Sequence, residues 1–517
     1  MTAERSLVPA RAATFAVVSR VLSMALGLLT LPFLIRYLGG DGFAAWALLL
    51  AVAAGCSLFE IGLGLPSTLL RFLNGPRHSR NPQELRRLFG SFWVLLAISM
   101  LLGALVVIGI AGPFAHWLGI PASPLFAPHE LVYVVFVAVA LRAFLQTSTL
   151  ALIADERFAL ASGVSMAIPL GSNIAAILAA QQTGRLDLTL LAFWGAQLAV
   201  LVVVFVRARA LATPMFTRAA FSASRMREIA IYSIANQMDG WAHFINFQFD
   251  KFIVAGLVGL WGVAPYEVAN RAVAALRSVP ASGAETLLPT AIAQGLQGDH
   301  AWGWYLTSTR VVAYGVCLFL LAPLAVSPVF LYAWTGEMGY VARGVFVALC
   351  LGAVTSVLAL PAATMAQAAR RPDFQARAAL LSIALNVPLS LYLVLNWGLL
   401  GAAIGTATAM SASAIRLVGS VHLHFGRPLR ETLILLSGFW PLVLVCLCWG
   451  GVTWWAFDAW FGTLDRASRF ARATRIHPGM VAVLSYGALV TALIAIEFMR
   501  GRISREHREA VRRLLLP

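Results

Sequence analysis

Lysine is nearly missing from this sequence: of 38 basic residues only Lys251 is a lysine, and it falls inside an apolar stretch. Charge of either sign is scarce. Charged residues are 12% of the 517, against about 25% in an average soluble domain, which excludes a water-exposed surface over most of the chain. Five cysteines occur, Cys56, Cys317, Cys350, Cys446 and Cys448, all within apolar stretches. Their spacing gives neither a disulfide framework nor a metal site, so they read as small hydrophobes. There is no His-Glu-x-x-His, no phosphate-binding glycine loop and no nucleophile elbow, and nothing requires a cofactor. His422 and His424 read as surface residues. A membrane glycosyltransferase or polymerase needs catalytic loops outside the bilayer, yet the longest outer loop, 457–478, has only Asp458 and Asp465 as acids.

What is present is hydrocarbon, 60% of all residues, in runs long enough to cross a core of roughly 30 Å. The first run, 11–38, is too long for a signal peptide and no small-residue cleavage site comes after it, so it is expected to be retained as a span. Six spans are predicted near 11–38, 43–72, 89–112, 129–151, 157–180 and 186–206. Six more lie near 228–258, 262–289, 308–333, 343–366, 375–396 and 399–422, and a final two near 432–456 and 479–499. The fold class is all-α, a polytopic membrane protein of about fourteen transmembrane helices. The formal charge of +16 sits on arginines in short loops, a pattern set by membrane topology and anionic lipid rather than by nucleic acid. Arg71, Arg77, Arg80, Arg86 and Arg87, then Arg207, Arg209, Arg218, Arg225 and Arg227, then Arg370, Arg371 and Arg377, and the basic tail all fall on the side of the N-terminus. The positive-inside rule makes that side cytoplasmic and the protein a multi-pass inner-membrane one. The 457–478 loop, with Arg466, Arg469, Arg472 and Arg475, is the exception.

The chain repeats. Gly39-x-x-Gly42-x-x-x-Trp46 returns as Gly259-x-x-Gly262-x-x-x-Tyr266, and Asn173 precedes Gly184 much as Asn386 precedes Gly398. The organisation read from this is a six-helix lobe over 1–206, a basic cytoplasmic linker over 207–227 and a second six-helix lobe over 228–425. Two added helices and a basic tail occupy 426–517. Repeated halves around a central site are a recurrent transporter plan.

Ionisable groups at bilayer depth cost about 2.5–3.5 kcal/mol each, so they face a cavity or a partner. In the seventh span Asn236, Asp239, His243, Asn246 and Asp250 are spaced i, i+3, i+7, i+10, i+14, one face of a helix. That stripe reads as a cavity wall able to sense protons. Glu267 and Arg271, spaced i, i+4 in the eighth span, are placed to pair, with Arg277 farther on. In the first half the charged positions are Arg20, Glu60 and Arg142. Under the 220-residue offset Arg20 corresponds to Gly240, beside Asp239.

Ser19-Arg20, Leu31-Pro32-Phe33, Tyr37-Leu38-Gly39, Gly42 and Glu60-Ile61-Gly62-Leu63 together resemble the opening of the bacterial oligosaccharide flippases of the Wzx type. These belong to the multidrug/oligosaccharidyl-lipid/polysaccharide exporter superfamily. Asp250-Lys251, Gly259, Tyr266, Asn270-Arg271, Asn386, Trp397-Gly398 and Gly401-Ala402-Ala403-Ile404 extend the resemblance over roughly residues 10–425. It implies two six-helix lobes in alternating access. The substrate it implies is an undecaprenyl-pyrophosphate-linked oligosaccharide moved to the periplasmic leaflet for O-antigen, capsule or exopolysaccharide export, alongside possible polymerase or export partners. A pyrophosphate headgroup suits Arg20, Arg142, Lys251, Arg271 and Arg277 as ligands. Glu60, Asp239, His243, Asn246, Asp250 and Glu267 are then the coupling or cavity-lining set, with H+ or Na+ as coupling ion. The alternatives are a cation-coupled drug or metabolite antiporter of the same superfamily and a lipid II flippase. The latter proteins also have fourteen spans, though the arginine-rich start of their first helix is not found here.

Overall fold

The structure, a computed structural model, describes residues 2–60, 82–154, 157–209, 222–285, 298–369, 371–459 and 478–499. Within these, the side chains of 2–25 and 231–239, among others, lie outside the described set. Among the described residues there is no strand. In hydrocarbon a backbone N–H or C=O finds no water, and a helix closes its hydrogen bonds within one segment. Nine helices among the described residues are long and apolar enough to cross a membrane, and the chain is an all-α polytopic membrane protein.

Two long helices are pairs joined at a break. Thr2–Cys56 divides at Gly39 into α1 (2–38) and α2 (40–56), and Pro372–His424 divides at Gly398 into α11 (372–397) and α12 (399–424). Between them come α3 (Pro82–Trp117), α4 (Pro128–Ala154), α5 (Phe158–Thr183) and α6 (Leu186–Arg209). Next are α7 (223–257), which carries a π-helical turn at Ile245–Phe249, and α8 (Leu260–Glu285). α9 (298–335) and α10 (337–368) precede the second pair, and α13 (429–457) and α14 (Pro478–Met499) come after it. Divided this way the described helices form fourteen rods, as hydropathy predicts. At 1.5 Å per residue even α14 reaches about 33 Å, so both added helices are long enough to cross. The basic loop between them, 460–477, lies outside the described residues.

The breaks are glycines in the left-handed half of backbone space, where a Cβ would crowd the chain. Gly39 (φ 73°), Gly119 (64°), Gly184 (61°), Gly259 (108°), Gly336 (63°) and Gly398 (55°) each come after an odd-numbered helix. They pair at 259 − 39 = 220, 336 − 119 = 217 and 398 − 184 = 214 residues. The repeat read from two loops therefore recurs at a third hairpin, Gly119 and Gly336, which no shared motif marks.

Contacts divide the chain into two compact units, Met1–Arg271 with Ala379–Thr406, and Ala272–Ala378 with Ala407–Pro517. In the first, α5 packs on the α1–α2 pair and on α6, and α4 on α3 and α6. Trp46 of α2 is buried with its ring edge-on to Phe193, centroids 5.1 Å apart. Also in this unit, α11 and α12 come close enough that a Cβ on Gly405 would lie 2.6 Å from Ser390 Oγ, the small-residue contact typical of membrane helices.

In the second unit Cys317, Phe439, Cys446, Leu489 and Leu493 gather α9, α13 and α14 into one core. Tyr314 donates to Glu497 at 2.8 Å within it. Here the expectation of two surface histidines is corrected for one of them. His422 is 1% exposed, with Nε2 2.9 Å from Thr432 Oγ1 and its ring edge-on to Trp302. Gly426 (φ 64°) turns the chain so that α13 folds back over the end of α12. His424 remains exposed.

Candidate functional site

The polar stripe expected on α7 is split by the π-helical turn Ile245–Phe249. Such a turn holds one more residue than the α-helix it interrupts, so the helix beyond it is rotated away from the face that precedes it. His243 stays exposed, its ring 4.8 Å from that of Phe247. Asp250, the first residue past the turn, is fully buried. The two therefore do not share a cavity wall, and the single-face reading of the stripe is corrected. The turn also leaves Phe247 O to accept a hydrogen bond from Asn270 Nδ2 of α8 at 3.2 Å.

Asp250 enters a polar network assembled from four helices of the first unit. Its Oδ2 accepts from Tyr266 OH of α8 at 2.6 Å and from Thr406 Oγ1 of α12. Thr406 in turn accepts from Asn386 Nδ2 of α11 at 3.1 Å, and Ser390 Oγ donates to Asn386 Oδ1 at 3.4 Å. Asn246 Oδ1 accepts from Ser382 Oγ at 2.9 Å. Asp250 Oδ1 has no hydrogen-bond partner among the described residues. A buried carboxylate oxygen without a partner is costly, and the hydroxyls of Tyr266 and Thr406 on its other oxygen make a polar setting suited to a proton or a hard cation. Among the described residues no three His, Cys, Asp or Glu side chains gather as a metal cluster.

One residue on, Lys251 is 2% exposed. Its ammonium lies 2.7 Å from Glu267 Oε2 and donates to Gln248 Oε1 at 2.6 Å. The other oxygen of Glu267 takes Arg271 Nε at 2.5 Å, the i, i+4 pair expected from spacing. Lys251 is thus committed to a carboxylate and withdrawn from any open surface, unlike the headgroup ligand expected from sequence. Arg271 keeps 23% of its side chain exposed, and its terminal amino groups take no part in the pair with Glu267. Counted as ionised, the three groups sum to +1, a surplus that the neighbouring Asp250 offsets unless it is protonated.

Arg142 and Glu60 form a second ion pair. Arg142 of α4 donates from Nη2 to Glu60 Oε1 at 3.0 Å and to Ser57 Oγ at 3.1 Å, with Glu60 buried at the end of α2. Arg142 Nε is buried without a hydrogen-bond partner among the described residues. Arg277, partly buried on α8, belongs to the other unit. Arg20 and Asp239 lie on described helices, but their side chains fall outside the described residues.

Sequence reading did not single out Tyr266, Ser382, Ser390, Thr406 or Gln248 as site residues. One signal was available: Ser382, Asn386 and Ser390 repeat at i, i+4, i+8 in an apolar span, one face of α11.

No family model matches the sequence, and no curated protein matches it. Among solved structures, the lipid II flippase MurJ in an inward closed conformation superposes with a TM-score of 0.70 at 13% identity. That match covers 95% of this chain and 99% of that one. A multidrug resistance MATE family transporter of the MOP superfamily matches in its inward-facing conformation with a TM-score of 0.58 at 14% identity, over 80% of this chain and 98% of that one. An outward-facing conformation of such a transporter gives 0.54 at 15%, over 81% and 96%. The chain shares the fold of these transporters.

Proposed function

We propose that this chain is a flippase for a polyprenyl-pyrophosphate-linked saccharide. It moves the undecaprenyl-linked substrate from the cytoplasmic to the periplasmic leaflet by alternating access of two six-helix lobes, 1–206 and 228–425, with both termini cytoplasmic. It is a transporter and not an enzyme. The observation that carries the reading is the Lys251–Glu267–Arg271 cluster. Three charges packed together in the first unit, with an excess of one cation while the neighbouring Asp250 holds a proton, and a partly exposed guanidinium suit an anionic headgroup. Arg20 is the further headgroup ligand proposed from the sequence, while Arg142 is committed to Glu60. Asp250, with its unpartnered oxygen, is the seat proposed for the coupling proton or sodium ion, while Asp239, His243 and Asn246 of the same helix remain candidate lining residues.

The added pair α13 and α14 supports placing the substrate near that of the lipid II flippase, since that fold match extends over 95% of the chain and the transporter match over 80%. A second reading, a cation-coupled drug antiporter, is favoured by the buried carboxylate of Asp250. Reconstituted vesicles separate the two. A fluorescent polyprenyl-pyrophosphate saccharide placed in one leaflet should equilibrate across the membrane in minutes, and Asp250→Asn should abolish its dependence on the ion gradient. Gradient-driven uptake of an organic cation, with the labelled lipid left where it was placed, would establish the antiporter instead.

A further inference from the structure

We infer that Lys251 is a positioning residue for the anion site, acting by cancelling Glu267 so that Arg271 keeps its charge for the substrate. The inference rests on the flippase reading and deepens it. Glu267 lies one helical turn before Arg271 and, left alone with it, forms a neutral i, i+4 pair that offers an anion little. Here the carboxylate is shared: Oε2 faces Lys251 Nζ at 2.7 Å and Oε1 faces Arg271 Nε at 2.5 Å. Lys251 is 2% exposed and does not itself reach a ligand. Gln248 Oε1 holds its ammonium from the other side at 2.6 Å, which fixes the charge where Glu267 feels it. Arg271, the exposed member, is oriented through Nε alone and presents the rest of its planar fork.

A lysine suits this place better than a second arginine. Its compact ammonium neutralises one carboxylate oxygen without competing for a bidentate partner. It is also the single lysine in a chain of 38 basic residues. At an effective dielectric of about 20, one elementary charge roughly 10 Å from an anion changes affinity about tenfold or more per unit of ligand charge.

The test is binding of inorganic pyrophosphate to the detergent-solubilised full chain by titration calorimetry, with thermal midpoints recorded so that folded proteins are compared. Lys251→Met should weaken binding about tenfold or more and flatten its salt dependence. Lys251→Arg should bind within about threefold of the parent, and so should the double variant Lys251→Met, Glu267→Gln, which restores the net charge without the lysine. Parental affinity in Lys251→Met overturns the inference, as does a folded double variant that fails to recover. Where the methionine variants do not fold, Lys251→Arg decides: retained binding supports the charge role and lost binding overturns it. A parent that moves the labelled lipid but binds no pyrophosphate overturns the inference and leaves the flippase reading standing.

Discussion

Arg142 meets Glu60 one to one, whereas Glu267 is gripped by both Lys251 and Arg271. The first arrangement is neutral, rests on the end of α2 and leaves its arginine 28% exposed. The second holds an excess cation, with lysine and carboxylate almost wholly withdrawn from solvent. A neutral pair at bilayer depth costs least and serves to join helices. An unbalanced triad costs more, and a chain that retains one uses the surplus charge. The difference separates an arginine whose loss is structural from one whose loss is functional.

Glu267→Leu breaks the comparison most severely, because it strands two cations at once. Removing one partner of a buried pair costs about 3–5 kcal/mol, and this variant should give little folded protein by size-exclusion chromatography. Arg142→Met strands only Glu60, which keeps a hydroxyl neighbour in Ser57. A loss of about 1–3 kcal/mol is expected, visible as a lowered thermal midpoint with lipid movement retained per folded molecule. Gly405→Leu drives a side chain into Ser390 and should cost about 1–3 kcal/mol. It would displace Thr406 from Asp250, and loss of gradient dependence before loss of fold is the outcome to look for. His243→Ala, on the exposed side of the π-helical turn, should stay within about 0.5 kcal/mol of the parent, with gradient dependence intact. A large effect there would rejoin the two parts of the stripe.

The elements were legible because hydropathy and glycine carry them. Fourteen rods come from fourteen apolar runs, and Gly39 and Gly259 mark the same reversal in both halves because only glycine takes that φ without strain. The Glu267–Arg271 pair was legible for a similar reason: it depends on four residues of one helix. Contacts that depend on the phase or approach of different helices were not. Nothing in Ile245–Phe249 announces a π-helical turn, and a strict 3.6-residue period put Asp250 beside His243. Lys251 stood out as a sole lysine, but its partner lies 16 positions on, across the Gly259 turn. His422 was misplaced because its burial depends on how α13 returns, which the sequence between 425 and 428 leaves open.

The central claim, that the surplus charge on Arg271 serves the substrate, is tested most directly in vesicles holding equal amounts of parent, Arg271→Gln or Arg142→Gln. Movement of a fluorescent polyprenyl-pyrophosphate saccharide between leaflets is the readout. Arg271→Gln should incorporate normally and move the lipid about tenfold or more slowly, while Arg142→Gln should move it at the parental rate per folded molecule. Equal rates for parent and Arg271→Gln, or a parent that moves no lipid, would contradict the claim.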